Sequence, residues 1–430
     1  MRDFATSEHP RVQAQLDRLG GLSVPEGRLG LDTIRALLNR LGDPHLRLPP
    51  VFHVAGTNGK GSTCAFLRAM LEAEGYRVHA TISPHLVRYN ERIRLAGHLI
   101  EDDRLADLLG EVLDLGADLN PSFFEVTIAA AFAEFARVPA DACVVEVGLG
   151  GRFDATNVLT QPAACGIAAL GLDHERFLLA PEEGVPQVPL ERIAFEKAGI
   201  AKPGVPLVTQ HYATGMTKAV LDQAMRAGAR PALRGLDWFA ETGAGIAYRD
   251  KHGTLNLPLP ALAGPHQADN AALAVALLRH QSALPVSEAS IRTGLQTAKW
   301  PARLQRLRPG PLTGQREVWL DGGHNPSAGA ALADHFKGQR FHLIIGMLAN
   351  KDPAALTGPL AGNAASIAAV PVPTHEWHPA AAFGPAAVAY PDVPSALAAL
   401  PDANRFKLSL LFHSCASQRI SPLQTVTAFA

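Results

Sequence analysis

A lysine sits among glycines in residues 56–63, Gly56-Thr57-Asn58-Gly59-Lys60-Gly61-Ser62-Thr63. Glycines let backbone N–H groups turn onto phosphate oxygens, and the N-terminus of a following helix favours anions. Lys60 would set a charge against the outer phosphates, and Ser62 or Thr63 would offer a hydroxyl to Mg²⁺. The spacing departs from G-x-x-x-x-G-K-[ST], because position 54 is Val and Gly61 separates Lys60 from Ser62. The alternative is a glycine-rich turn without a ligand. A strand before the turn, a helix after it and the lysine in place argue against that.

Lys197 raises a second possibility. Within residues 190–200, Leu190, Ile193, Ala194 and Lys197 recur at helical spacing, which puts the lysine on an apolar face. Burial favours the neutral amine, and a neutral amine can combine with CO₂ to give a carbamate, an anionic metal ligand. The spacing equally allows a lysine that snorkels from the edge of the stripe. Glu146 interrupts an apolar strand beside the turn 148–152. A buried carboxylate there demands a cation, either a metal or Arg152 in an ion pair. His174 follows another apolar strand in Gly171-Leu172-Asp173-His174, and Ser83 follows a third. Each alone is compatible with a structural role. Together Ser83, Glu146, His174 and Lys197 would make an oxygen-rich set suited to Mg²⁺.

Other polar groups are less specific. Ser122 and Glu125 have capping-box spacing at the start of an Ala-rich helix. Residues 321–326, running from Asp321 through His324 to Pro326, read equally as a ligand loop or a polar turn. Arg303 suits a phosphate clamp or a linker ion pair, and Lys351-Asp352 shares that ambiguity.

The elements that must position these groups alternate strand and helix, the pattern of a parallel sheet. Apolar runs at 51–55, 143–147 and 166–170 fit strands buried on both faces, and 76–82 reads as a further strand. Residues 317–320 and 341–345 open a second, smaller α/β block. Pro301, Pro309, Gly310 and Pro311 mark a linker at 299–312, between domains at 1–298 and 313–430. The segments 56–63, 83–92, 148–157, 171–174, 321–326 and 347–352 all follow strands, at the edge where open parallel sheets bind ligands.

Composition sets the bounds. With 430 residues, 47% hydrophobic and 18% charged, the chain is globular and long enough for two or three domains. Its 39 basic and 40 acidic residues nearly cancel, so no footprint for nucleic acid is visible. Residues 1–11 lack the apolar core of a signal peptide, and no apolar run reaches the roughly 18 residues of a membrane span. Cys64, Cys143, Cys165 and Cys415 are scattered without metal-ligand spacing, as expected of free thiols in a reducing cytosol.

Taken in order, these motifs resemble the folylpolyglutamate synthases, often bifunctional with dihydrofolate synthase in bacteria, of the Mur-ligase superfamily. The resemblance covers about residues 27 to 355. It rests on 56–62 (GTNGKGS), Ser83-Pro84-His85-Leu86 with Asn90-Glu91-Arg92-Ile93, 122–125 (SFFE), 146–157 (EVGLGGRFDATN), 171–174 (GLDH), 196–200 (EKAGI), His266-Gln267, 300–303 and 321–326. It implies a P-loop ATPase domain followed by a smaller Rossmann-like α/β domain. ATP would lie on Gly56, Thr57, Asn58, Gly59, Lys60, Gly61, Ser62 and Thr63, with Asn270 and Asp321 at the adenosine, His324 nearby and Arg303 at the phosphates. Ser62 and Ser83 would hold one Mg²⁺; Glu146, His174 and carbamylated Lys197 would serve a second. Pro84, His85, Phe124, Arg152, Asp154 and Ala155 would form the folate side.

Four departures stand out. Ala302 replaces the usual glycine of W-P-G-R, and Gly323 stands where alanine is common; both read as small changes. The chain between His174 and Leu190 is longer than the pattern, with an apparent insertion at 176–189. The last stretch carries Leu408-Ser409-Leu410-Leu411-Phe412-His413 where a G-S-L strand motif is usual, which leaves the terminal strand in question.

The implied activity is ATP-dependent addition of L-glutamate to dihydropteroate or a reduced folate through an acyl phosphate, by a cytoplasmic monomer acting on small molecules. A cell-wall Mur ligase is one rival, but it would carry a UDP-sugar domain before the P-loop, where 55 residues stand here. A non-enzymatic P-loop protein is the other; it would need neither Glu146, His174 and Lys197 nor a second domain.

Overall fold

The computed structural model describes residues 5–22, 30–373 and 375–400, and residues 407–412 as a backbone strand. It divides into two compact units, Met1–Ala261 with His266–Lys299, and Leu262–Pro265 with Trp300–Ala430.

The first unit is built on an eight-stranded sheet. Its strands are β1 (Val51–Ala55), β2 (Val78–Thr81), β3 (Ile93–Leu95), β4 (His98–Leu99), β5 (Ala142–Glu146), β6 (Ala164–Ile167), β7 (Pro206–Thr209) and β8 (Arg230–Leu233). They lie in the order β4-β3-β2-β5-β1-β6-β7-β8. β3 and β4 run antiparallel at one edge; the rest are parallel. Every residue of β1, β2, β5, β6 and β7 is buried, which explains why β1, β5 and β6 read as nearly continuous apolar runs rather than alternating ones.

Helices cover the sheet. Lys60–Ala73 is buried along most of its length. It approaches the helix Glu288–Thr297 so closely that a Cβ on Gly294 would lie 2.5 Å from the Met70 backbone. Phe123–Arg137 starts with the expected capping box: Ser122 Oγ accepts from Glu125 N at 3.3 Å, and Glu125 Oε2 accepts from Ser122 N at 2.8 Å.

One feature escaped the pattern reading: β9 (Trp238–Thr242), β10 (Ile246–Asp250) and β11 (Gly253–Leu257) form a separate antiparallel sheet. Asp250 fastens it to the helix Pro265–His280 by accepting from Arg279 Nε and Nη2 at 2.7 and 2.6 Å.

The second unit holds a six-stranded sheet in the order β12-β13-β17-β14-β15-β16. These are β12 (Gln305–Arg306), β13 (Val318–Asp321), β14 (Phe341–Gly346), β15 (Ala364–Ala369), β16 (Val388–Ala389) and β17 (Lys407–Phe412). Two expectations change. Part of the 299–312 linker is a strand, because β12 pairs antiparallel with β13. The segment lacking the G-S-L pattern still supplies a strand, since β17 runs parallel between β13 and β14. Residues 401–406 and 413–430, with His413 and Cys415, lie outside the described residues, as do 1–4 and 23–29.

Cys64, Cys143 and Cys165 are free and buried. Among the described residues no helix is long and apolar enough to cross a membrane.

Candidate active site

Strand order places the chemistry. β2, β5, β1 and β6 are consecutive parallel neighbours, so Ser83, Glu146, the 56–63 turn and 171–174 all emerge from the same carboxyl edge of one sheet. Thr57 N and Asn58 N both donate to Ala169 O, at 2.8 and 3.2 Å. That is why β6 ends at Ile167, short of the expected Leu170: its continuation caps the turn. Thr57 Oγ1 donates to Gly171 O and accepts from Gly171 N, at 2.9 and 3.1 Å, which ties the two loops together.

The turn has the geometry of an anion cradle. Gly59 is left-handed at φ 81°, and a Cβ there would lie 2.2 Å from Asn270 Oδ1. Only glycine fits both conditions. The helix begins at Lys60, so its first N–H groups are free of intrahelical partners and face the turn. Lys60 Nζ folds back onto Gly56 O and Thr57 O, at 3.0 and 3.3 Å. Thr63 Oγ1 is buried with no hydrogen-bond partner, and such an oxygen is able to accept an ion, a water or a ligand donor. Asn270 is buried and donates to Gln267 Oε1 at 3.1 Å.

Lys197 is 4% exposed, which removes the snorkelling alternative. Its Nζ donates to Gly56 O at 2.9 Å. Burial first, then the nearby charge of Lys60, pulls its pKa from 10.5 to about 7, against the opposing pull of Asp173, Asp154 and Glu196. The helix Pro189–Ala198 is not amphipathic in the expected way. Leu190 is 37% exposed, while Arg192, Phe195 and Glu196 are buried with Ile193 and Ala194. The turn 148–152 lies directly against it: a Cβ on Gly151 would meet Glu196 O and Lys197 O at 2.8 Å.

Glu146 ends β5, is 4% exposed, and accepts from Ser83 N at 3.4 Å. The ion pair considered for it is not formed: Arg152 pairs instead with Glu182 and Glu196. His174 is left-handed at φ 53° and opens the short helix Glu175–Leu178. Its backbone N donates to Asp173 Oδ1 at 2.8 Å and its Nε2 lies 3.9 Å from Asp173 Oδ2. Among the described residues no three His, Cys, Asp or Glu side chains gather as a metal site.

The folate-side candidates form two groups. In the first, Glu91 shapes the 83–92 loop, its carboxylate accepting from Leu86, Val87 and Arg88 N at 2.7, 2.9 and 2.8 Å. His85, next to Pro84, is buried; Nδ1 accepts from Arg92 Nε at 2.8 Å, and Nε2 has no partner. Burial, then Arg92, holds the ring neutral, well below the usual histidine range. In the second, Phe124 packs on Gly148, its Cζ 2.4 Å from where a Cβ would stand.

Asp154 is buried beside Ala155. It accepts from Leu149 N at 2.8 Å, Thr156 N at 3.0 Å and Thr156 Oγ1 at 2.5 Å. Thr156 Oγ1 in turn meets His53 Nε2 at 2.8 Å. With both oxygens engaged, Asp154 shapes the turn that carries Ala155. Arg152 likewise spends its donors on carboxylates.

In the second unit, Asp321 accepts from Leu304 N and Gly323 N, at 2.8 and 2.7 Å. Gly322 N donates to Ala302 O at 2.9 Å, so residues 302–304 and 321–323 form one knot. Arg303 Nη1 donates to Ala302 O at 2.8 Å, and His324 Nδ1 lies 3.1 Å from Gly322 O. Ala302 is held at φ 55°, so its replacement of glycine is not the small change it seemed.

Residue-by-residue reading missed Asp173, Glu182 and the His53–Thr156 pair. Asp173 was signalled only by its place in 171–174; nothing local marks the others.

No family model matches the chain. The dihydrofolate synthase/folylpolyglutamate synthase of Escherichia coli (strain K12) is 36% identical over 364 residues, 83% of this chain and 78% of that protein. E. coli FolC in complex with DHPP and ADP superposes with a TM-score of 0.83 at 33% identity, covering 94% of each chain. A bifunctional folylpolyglutamate synthase/dihydrofolate synthase with Mn, AMPPNP and L-glutamate bound gives 0.81 at 30% identity, over 96% of this chain and 97% of that one. With a phosphate-type glycine turn, a buried lysine behind it and this extent of likeness, the chain belongs to the folylpolyglutamate synthase/dihydrofolate synthase family.

Proposed function

We propose that this chain is an ATP-dependent ligase that adds L-glutamate to dihydropteroate, to reduced folates, or to both, through an acyl phosphate. The observation that carries the reading is the convergence at Gly56, where the glycine turn, Lys60 and the buried Lys197 meet at the strand edge that also bears Glu146 and Ser83.

An amide does not form from a free carboxylate in water without activation. The γ-phosphoryl group of ATP passes to the substrate carboxylate: an O–P bond forms, the β–γ bridge bond breaks, and ADP leaves. The glutamate α-amine then attacks the acyl carbon. A C–N bond forms, the C–O bond breaks, phosphate takes the electron pair, and the amine proton passes to phosphate or water. Such transfer needs positioning and charge neutralisation more than covalent help from the protein. Lys60 binds the outer phosphates, and Asn270, packed against Gly59, serves the nucleoside. Within the second unit, Arg303, Asp321 and His324 are the groups offered to a nucleotide. Pro84, His85, Phe124 and Ala155 line the pterin side, while Asp154 and Arg152 shape its turn.

Two Mg²⁺ ions fit this donor set. Ser62, Thr63, Ser83 and Glu146 would supply hard oxygens and His174 a nitrogen, and Thr63 Oγ1 is buried without a hydrogen-bond partner of its own. When bound, the metal neutralises phosphate charge. Lys197, with a pKa lowered by burial to about 7, has a substantial neutral fraction near pH 7 and more above it, the state that CO₂ requires to form a carbamate. The protein acts as a cytoplasmic monomer. The decisive assay incubates it with ATP, Mg²⁺, labelled glutamate and each pterin in turn, and resolves products by mass. ATP hydrolysis indifferent to pterin and glutamate would favour a nucleotide-binding switch instead.

A further inference from the structure

The segment 176–189 ends in the helix of Lys197 and begins two residues after His174. It brings one carboxylate inward. Glu182 Oε1 accepts from Arg152 Nη1 at 2.9 Å, and Oε2 accepts from Arg152 Nη2 at 2.5 Å and from Arg192 Nη2 at 2.7 Å. Arg152 also donates Nε and Nη2 to Glu196, at 3.0 and 2.6 Å. Arg192 Nη2 lies 3.0 Å from Glu196 Oε1. The four side chains close a ring of alternating charge, each no more than about a fifth exposed.

Without Glu182, two guanidinium groups would share the single carboxylate of Glu196. Arg192 is the more exposed to that loss in energetic terms: its Nε is already buried without a partner. A charge left without its counter-ion in such a place drives rearrangement. The elements that would move are those of the reaction. Glu196 directly precedes Lys197, Arg152 N donates to Glu196 O at 2.8 Å, and Arg152 belongs to the turn that carries Asp154 and Ala155. The segment is also closed on itself, because Gln187 Nε2 donates to Glu182 O and Val185 O at 3.3 and 2.8 Å.

We propose that Glu182 is a positioning residue for the ligase reaction, its carboxylate balancing Arg152 and Arg192 so that the Lys197 helix and the 148–155 turn keep their mutual register. This rests on the ligase reading above. The class of change expected is that of a group supporting a metal- and phosphate-handling site, about tenfold or more in kcat.

The test uses the full chain and compares wild type with Glu182→Gln, Arg192→Met and the double variant. Glu182→Gln keeps the shape and removes the charge. Its kcat per folded molecule falls about tenfold or more while KM for ATP stays near wild type; the melting temperature falls as well, because buried guanidinium groups lose a counter-ion. Removing Arg192 as well rebalances the ring and restores most of the kcat. A purely structural contact would lower the melting temperature and leave kcat per folded molecule unchanged; that result, a fully active Glu182→Gln, or a double variant as impaired as the single one would each overturn the proposal. If wild type itself shows no pterin- and glutamate-dependent turnover, it is the ligase reading that fails.

Discussion

Lys60 and Lys197 donate to the same carbonyl oxygen, that of Gly56, at 3.0 and 2.9 Å. Two ammonium groups on one acceptor repel each other, and Lys197 is the buried one. It therefore yields the proton more readily, with a pKa near 7. The arrangement costs stability in the absence of ligands and leaves an amine poised for chemistry, the exchange expected where a functional site overrides packing.

That cost is measurable in Lys197→Met. The folded pKa of Lys197, about 7, lies below its ordinary value of 10.5. Unfolding therefore takes up a proton between those values, and wild-type stability rises with pH across that window. Methionine removes the penalty, and Gly56 O keeps Lys60 as a donor. The nucleotide- and metal-free variant should exceed wild type by about 2–4 kcal/mol at pH 7. The advantage should shrink steadily toward pH 10. Denaturant titrations at pH 7 and pH 9.5 decide it; an equal gap at both would show that Lys197 does not titrate as described.

The same lysine should be indispensable for activity. Lys197→Ala should lose about a hundredfold or more in turnover, the upper range for a group that supports a metal site. Short carboxylic acids or bicarbonate should restore part of it by supplying the anion that a carbamate on Lys197 would provide. Full activity in Lys197→Ala without any additive would remove the carbamate from the account.

Lys60→Ala should abolish ATP turnover while leaving the fold intact. Gly56 O still receives Lys197, so no buried carbonyl is orphaned. The missing charge on the outer phosphates is not replaced from the turn itself. The substitution also removes a charge that lowers the Lys197 pKa, so that amine should titrate at higher pH. Circular dichroism with single-turnover ADP release separates the two effects. Appreciable turnover in a well-folded variant would exclude Lys60 from the phosphates.

What the sequence made legible was local. The 56–63 turn announces itself because its glycines, its lysine and its flanking strand and helix are contiguous. Lys197 was found by helical spacing, yet one of the residues that suggested the face, Leu190, is on the surface. Only the fold reveals that the lysine is covered by the 148–152 turn and the P-loop carbonyl. The Arg152 partners were not legible at all. Glu182 and Glu196 lie 30 and 44 residues away, and a sequence offers Glu146, six residues back, as the nearer candidate. β9–β11 were missed because short strands joined by tight turns give too little alternation to count.

Ala302 offers a test in the second unit. Its φ of 55° is left-handed, a conformation that costs an L-residue roughly 1–2 kcal/mol and costs glycine almost nothing. Glycine gives back about half of that through the greater freedom of its unfolded chain. Ala302→Gly should therefore stabilise the protein by about 0.5–1 kcal/mol. Ala302 O accepts from Gly322 N and from Arg303 Nη1, both bonds to the backbone carbonyl that glycine retains. Activity should be unchanged or slightly higher. Thermal denaturation of both proteins checks the sign: a lower melting temperature for the glycine variant would mean that the methyl group, buried at 1% exposure, contributes more by packing than the backbone loses by strain.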